Sequence, residues 1–184
     1  MYYAKIKKYD VSNGPGVRTS LYVSGCRHKC KGCFNQEAWD FFFGKPFTEE
    51  TIQEIIDSSK PDFIEGLTIV GGEPLEPENQ EEVWKTIQAF RKVYPKKTIW
   101  LFSGFLFEQQ ILKQMCHQLP YTRDILENID VLVDGKFVEN LKDPLLGFRG
   151  SSNQRIIDVP ASLKQNKIIL HDKQYMKEER NQWN

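Results

Sequence analysis

In Leu67-Thr-Ile-Val-Gly-Gly-Glu-Pro74, residues Leu67 to Val70 read as a short apolar strand that runs into two glycines. After it, Asn79 to Val93 carries Val83, Trp84, Ile87 and Phe90 at helical spacing, so the two stretches read as strand, glycine turn and helix. Upstream, Thr48 to Ser59 has the marks of another helix. Thr48 is placed as N-cap, Glu49, Glu50 and Thr51 fill the first turn, Ile52, Ile55 and Ile56 share a face, and Pro61 stops it. Downstream come a strand at Thr98 to Phe102, a helix at Glu108 to Leu119, and a buried strand at Ile129 to Val133 that ends at Asp134-Gly135. Such alternation predicts an α/β fold of parallel strands joined by helical crossovers, with ligands at the carboxyl ends of the strands. A closed eight-stranded barrel needs about 250 residues, and the chain has 184. The expectation is an incomplete, open β/α barrel, with Tyr3 to Tyr9 and Arg155 to Val159 as additional short strands of unassigned placement.

No repeat or Pro/Gly/Ser linker divides the chain, so one domain over residues 1–184 is expected, with a polar surface helix or frayed tail from about 171. The 25 basic and 25 acidic residues cancel, which argues against a protein built to grip nucleic acid phosphates. The amino-terminal stretch from Met1 to Lys8 is too charged for the apolar stretch of a signal peptide. The longest apolar run, Ile99 to Phe107, is broken by Ser103-Gly104 and is about half of the ~20 residues that cross a bilayer. A soluble, cytoplasmic chain without a membrane partner is expected.

Thr19 to Ser24 reads as a strand that delivers the chain into Cys26-Arg-His-Lys-Cys30-Lys-Gly-Cys33. Three thiolates at these gaps can converge on one small inorganic centre, and Gly25 and Gly32 let the loop fold tightly around it. Iron–sulfur clusters are held by thiolates, and a full set is four. With three, a [4Fe–4S] cluster keeps one iron without a protein ligand, which suits a reactive site better than an electron carrier. The alternative is a zinc site completed by His28, Cys116 or His117. Cys116 otherwise reads as a small buried hydrophobe and His117 as a surface histidine. At the Gly71-Gly72 turn the absent side chains permit close backbone approach, and backbone carbonyls with the Glu73 carboxylate suit an ammonium group.

The cysteine spacing followed by Phe34, with Gly71-Gly72-Glu73-Pro74 downstream, resembles the signature of the radical S-adenosylmethionine enzymes. The resemblance implies a [4Fe–4S] cluster on Cys26, Cys30 and Cys33, with the open iron chelated by S-adenosylmethionine. It further implies reductive cleavage of the sulfonium to methionine and a 5′-deoxyadenosyl radical. Cofactor contacts are implied at Gly32, Cys33 and Phe34, the aromatic lying near the adenine. At the second motif, Gly71, Gly72 and Glu73 are implied to hold the methionyl amino group. Phe34 also reads simply as a core phenylalanine.

Four further stretches resemble the activating proteins of anaerobic ribonucleoside-triphosphate reductase, a family of glycyl-radical activases. They are Asn13-Gly-Pro-Gly-Val-Arg-Thr19, Cys33-Phe-Asn-Gln-Glu-Ala-Trp-Asp40, Val131-Leu-Val-Asp-Gly-Lys-Phe137 and Phe148-Arg-Gly-Ser-Ser-Asn-Gln-Arg-Ile156. The similarity runs over about residues 1–160 and departs at Asn13, where the family usually shows Asp. It implies a glycine loop of the reductase as substrate, a low-potential electron donor such as reduced flavodoxin, and cofactor contacts at Asp134 and Lys136. These two also read as a turn aspartate and a surface lysine. Arg149 to Arg155 is expected either to contact the cofactor carboxylate or the partner's glycine loop, or to be a solvated loop. Trp39, Phe41, Phe42 and Phe43 read as a docking surface or as packing beneath the cluster loop. No general base is required. The alternatives are an activase of another glycyl-radical enzyme, such as pyruvate formate-lyase, and a zinc-dependent interaction module.

Overall fold

The structure is a computed structural model that describes residues 1–171; apart from His171, the expected polar tail lies outside the described residues. Among the described residues, seven strands form one mixed sheet in the order β3-β1-β2-β4-β5-β6-β7. They are β1 (Tyr2–Asp10), β2 (Val17–Val23), β3 (Lys45–Pro46), β4 (Ile64–Gly71), β5 (Thr98–Ser103), β6 (Val131–Asp134) and β7 (Arg155–Asp158). β2, β4, β5 and β6 run parallel; β1 lies antiparallel to β2, β3 antiparallel to β1 at that edge, and β7 antiparallel to β6 at the other. The short link 11–16 between β1 and β2 forces their hairpin, because a parallel pair needs a crossover of a dozen residues or more. The mixed, open α/β sheet thus agrees with the expected fold class, and the two unplaced stretches become its antiparallel flanks.

Helix α1 (Glu49–Ser58) begins where Thr48 donates its backbone N–H to Thr51 Oγ1 at 3.2 Å, half of a capping box. Helix α2 (Pro77–Val93) opens on a proline, whose missing N–H costs nothing at a helix start, and buries Val83, Ile87 and Phe90. The stretch expected as a helix over Glu108 to Leu119 is wound more widely, as a π-helix at Phe107–Met115 followed by α-helix at Cys116–Gln118. Two short helices, Thr122–Asn128 and Val159–Gln165, were not anticipated, each being only seven residues long.

Alternation along the strands sorts side chains into two faces. Leu67 and Ile69 of β4, Ile99 and Leu101 of β5, and Leu132 of β6 join Ile55 of α1 and Val83, Ile87 and Phe90 of α2 in the main core. On the other face, Trp100, Val131, Val133 and Ile156 make a smaller cluster without a helix. There Arg18 is fully buried and donates from Nε to Thr68 Oγ1 at 2.8 Å and from Nη2 to the carbonyls of Leu67 and Thr98, each at 2.9 Å. At the carboxyl ends of the parallel strands this face opens into a cavity. Among the described residues, no helix is long and apolar enough to cross a membrane.

Candidate functional site

The chain leaves β2 at Val23 and enters the cysteine loop. Gly25 donates its N–H to the Ala38 carbonyl at 2.8 Å and Cys26 to that of Trp39 at 3.2 Å, so the returning segment 36–39 clasps the start of the loop. Cys33 N–H closes a turn on the Cys30 carbonyl at 3.1 Å. Arg27 fastens the loop to α2: its backbone N–H reaches Glu76 Oε1 at 2.7 Å, and its guanidinium pairs with Glu76 and Glu78 while lying over the Phe41 ring. Phe41 therefore packs against the loop, the more ordinary of its two expected roles. Phe42, in contrast, is exposed.

Cys26, Cys30 and Cys33 are free thiols and all line one cavity of about 430 Å³. Burial pushes the Cys26 thiol up to about 12 and raises that of Cys30, so a metal must displace protons to bind there. Among the described residues, no three His, Cys, Asp or Glu side chains converge to hold a single metal ion. A cluster asks for less convergence, because each thiolate binds an iron of its own, and three free thiols on one cavity wall fit that demand. The three candidate zinc partners fare differently. His28 lines the cavity but is hydrogen-bonded to Glu73, Cys116 packs against the main core, and His117 is not part of the cavity wall.

At the end of β4 the two glycines admit protein rather than open space. A Cβ on Gly72 would lie 2.6 Å from the Gly25 carbonyl oxygen and 2.9 Å from that of Ala38, and one on Gly71 would meet the Val23 backbone. Gly71 also sits at φ +115°, a conformation that L side chains rarely adopt. Their bareness lets the cysteine loop dock, through Gly72 N–H to Val23 O at 2.7 Å and Glu73 N–H to Gly25 O at 2.8 Å. Both glycines still line the cavity.

Glu73 departs from the expected arrangement. It lines the cavity, yet it is fully buried and its carboxylate already accepts four hydrogen bonds. Leu75 N–H and Ser103 Oγ, both at 2.9 Å, reach Oε1; Gly104 N–H at 2.7 Å and His28 Nε2 at 2.9 Å reach Oε2. A carboxylate only accepts, so His28 Nε2 carries its hydrogen. Glu73 thereby knots together the loops that follow β2, β4 and β5, and an incoming ammonium would have to displace one of these donors. Ser103-Gly104 stands in the sequence only as a break in an apolar run; its place after a strand was the available signal.

Asp134 departs in the same way. Fully buried and absent from the cavity wall, it accepts from Arg155 through both oxygens, Nε to Oδ1 at 2.8 Å, and from Phe107 N–H at 2.9 Å. Lys136, two residues on, is exposed and does line the cavity. Gly32 lies outside the wall; its φ of 72° and the Glu139 side chain beside it account for the glycine. Phe34 is 67% exposed at the cavity, 5.4 Å from the Phe137 ring, so the core alternative does not hold. Asn13 lines the cavity and donates its amide to Asp10 Oδ2 at 2.6 Å and Tyr22 Oη at 2.7 Å. Burial works to raise the Asp10 carboxyl, but hydrogen bonds from Lys7 and Asn13 hold it well below the usual carboxylate range. At position 13 an amide can donate to that anion where a carboxylate would repel it.

Comparison with known proteins defines the class first. Residues 12–157 match a family model described as a 4Fe-4S single cluster domain, which covers the cysteine loop, the Gly-Gly-Glu turn and the strands that carry them. Over 156 residues the chain is 40% identical to a protein of Enterobacteria phage T4 (85% of this chain, 93% of the relative) and 40% identical to one of Escherichia coli K12 (84% and 96%). It is 42% identical over 158 residues to one of Haemophilus influenzae (85% and 97%). All three bear the name anaerobic ribonucleoside-triphosphate reductase-activating protein. The chain belongs to this family.

Proposed function

We propose that this chain activates an anaerobic ribonucleoside-triphosphate reductase by forming a glycyl radical on it. When bound, a reduced [4Fe–4S] cluster would supply one electron to the sulfonium of S-adenosylmethionine, whose cleavage to methionine and a 5′-deoxyadenosyl radical would provide the means to take a hydrogen atom from the partner's glycine. Cys26, Cys30 and Cys33 hold the cluster, and the backbone at Gly71-Gly72 faces the methionyl amino group. Phe34 stands beside the adenine, and Lys136 contributes positive charge on the same wall. Glu73 acts behind the turn as a positioning residue. The sheet is an incomplete barrel of the radical S-adenosylmethionine type within a single domain, and its open side admits a glycine loop. We place the chain in the cytoplasm, supplied by a low-potential donor such as reduced flavodoxin.

The observation that carries this reading is that all three cysteines, both glycines, Phe34 and Lys136 line one cavity at the carboxyl ends of the parallel strands. Membership of the activating-protein family supports the choice of partner. Mixing the reduced, cluster-loaded protein with S-adenosylmethionine and the anaerobic reductase should give a glycyl radical, seen as a doublet by electron paramagnetic resonance. Replacing the target glycine by alanine should abolish it. Cofactor cleavage without a radical on the reductase, combined with activation of a different glycyl-radical enzyme, would overturn the partner assignment.

A further inference from the structure

Arg149 and Arg155 bound one loop and are served very differently. Arg155 is neutralised by two carboxylates, with Nε on Asp134 Oδ1 and Nη2 on Glu108 Oε2, each at 2.8 Å. Arg149 has one hydrogen bond among the described residues, from Nη1 to the Gln154 carbonyl at 2.9 Å, and no ion pair. Its Nε is out of contact with solvent and without a partner, although the residue lines the cavity. Burial alone lowers the pKa of this guanidinium, with no acidic neighbour to offset it. Trp39 Nε1 is a second buried donor without a partner, and Trp39 lines the same cavity. Folded proteins rarely leave such donors unanswered, so two in one cavity wall call for a ligand rich in acceptors.

The segment holding Arg149 is built, not slack. Gln154 Oε1 accepts from Gly150 N–H at 2.9 Å and Ser151 N–H at 3.2 Å, while its Nε2 donates to Gly135 O at 2.9 Å. Asn153 Nδ2 donates to Lys136 O at 2.9 Å, tying the segment to the turn after β6. Phe148, one residue before Arg149, sits at φ 53° with its ring against Trp100. Because Nη1 is taken by Gln154, the edge left to Arg149 is Nε with Nη2. That pair of parallel donors matches the two oxygens of a carboxylate.

We propose that Arg149 binds the carboxylate of the methionyl end of S-adenosylmethionine through its Nε–Nη2 edge, with Trp39 donating to a further acceptor of the same ligand. This rests on the functional reading above and adds to it the residue that recognises the ligand's anionic end. The partner protein is the other source of a carboxylate, and the test separates the two.

The protein carrying its cluster is titrated anaerobically with S-adenosylmethionine, by equilibrium dialysis and by the change in the reduced cluster's electron paramagnetic resonance spectrum. Arg149→Gln should weaken binding roughly tenfold to a hundredfold, the range for losing a charge-assisted hydrogen bond, and Arg149→Lys should fall between. For decarboxylated S-adenosylmethionine the wild type and Arg149→Gln should bind alike. Without ligand, Arg149→Gln should melt at the wild-type temperature or above it, since it removes an unpaired buried charge. Equal S-adenosylmethionine affinity in wild type and Arg149→Gln would overturn the proposal. So would an equal loss for the decarboxylated ligand, or a marked fall in melting temperature, which would make Arg149 structural. Unchanged cofactor affinity with weakened reductase binding would assign the carboxylate to the partner instead. A wild-type protein that holds its cluster but binds no S-adenosylmethionine would overturn the functional reading together with this inference.

Discussion

Glu73, at the turn after β4, and Arg149, in the segment between β6 and β7, line the same cavity, but only one of them is satisfied by the protein. Glu73 is surrounded by four donors from three loops, while Arg149 keeps Nε unpaired and has no acidic partner among the described residues. The same contrast holds for their neighbours. Glu76 beside the cysteine loop is paired with Arg27, whereas Lys136 on the far rim stands exposed. A buried carboxylate with all its acceptors filled is a strut, since moving any attached loop would strand a charge. A cation held in place without a counter-charge is suited to receive one.

The largest effect should come from the thiols on the Glu73 side. Cys26→Ala, Cys30→Ala or Cys33→Ala should take anaerobically reconstituted protein from about four irons per chain, with matching sulfide, to near none. Cys116→Ala, at a position that packs against the main core, should keep the full complement, and iron with sulfide analysis reads the difference. Next, Glu73→Ala should cost roughly 3–5 kcal/mol by thermal or denaturant unfolding, since four donors lose their acceptor at about 1–3 kcal/mol for each one left unsatisfied and buried. A loss below about 1 kcal/mol would show that Glu73 is no strut.

Asp134→Ala tests the anchor behind the far rim. Arg155 keeps Glu108 and is partly exposed, so a smaller cost of about 1–3 kcal/mol is expected from the lost Asp134–Arg155 bonds and the unpaired Phe107 N–H. Glu108→Ala should cost less than Asp134→Ala, because only the Asp134 carboxylate is fully buried. The smallest change in stability belongs to Lys136→Ala, within about 0.5 kcal/mol as for other exposed positions. Its S-adenosylmethionine affinity should nevertheless fall severalfold by equilibrium dialysis. A large stability loss there would erase the distinction between the two walls.

Much of the fold was readable along the chain. The cap at Thr48, the Ile55–Ile56 face of α1 and the Val83–Ile87–Phe90 face of α2 are local patterns, and they appear where their spacing indicates. The wide helix at Phe107–Met115 was not readable, because its apolar residues also fit ordinary helical spacing. At the site, the crowding of Cys26, Cys30 and Cys33 and the paired glycines were legible for the same reason. What Gly72 is bare for was not, since the atoms filling its missing Cβ belong to Gly25 and Ala38 in a different part of the chain.

By itself, then, the sequence determined the alternation of strands and helices, the family signature and the three thiols, all features that lie within a few residues of one another. The tertiary structure alone decided how the ionisable groups are used. Glu73 meets His28 across 45 residues and Asp134 meets Arg155 across 21, and neither pairing follows from spacing. Strand order and register bring one carboxylate under four donors and turn another away from the cavity. They also leave one arginine paired and the other with its Nε unpaired, because a hydrogen bond depends on distance and direction in space rather than on position along the chain.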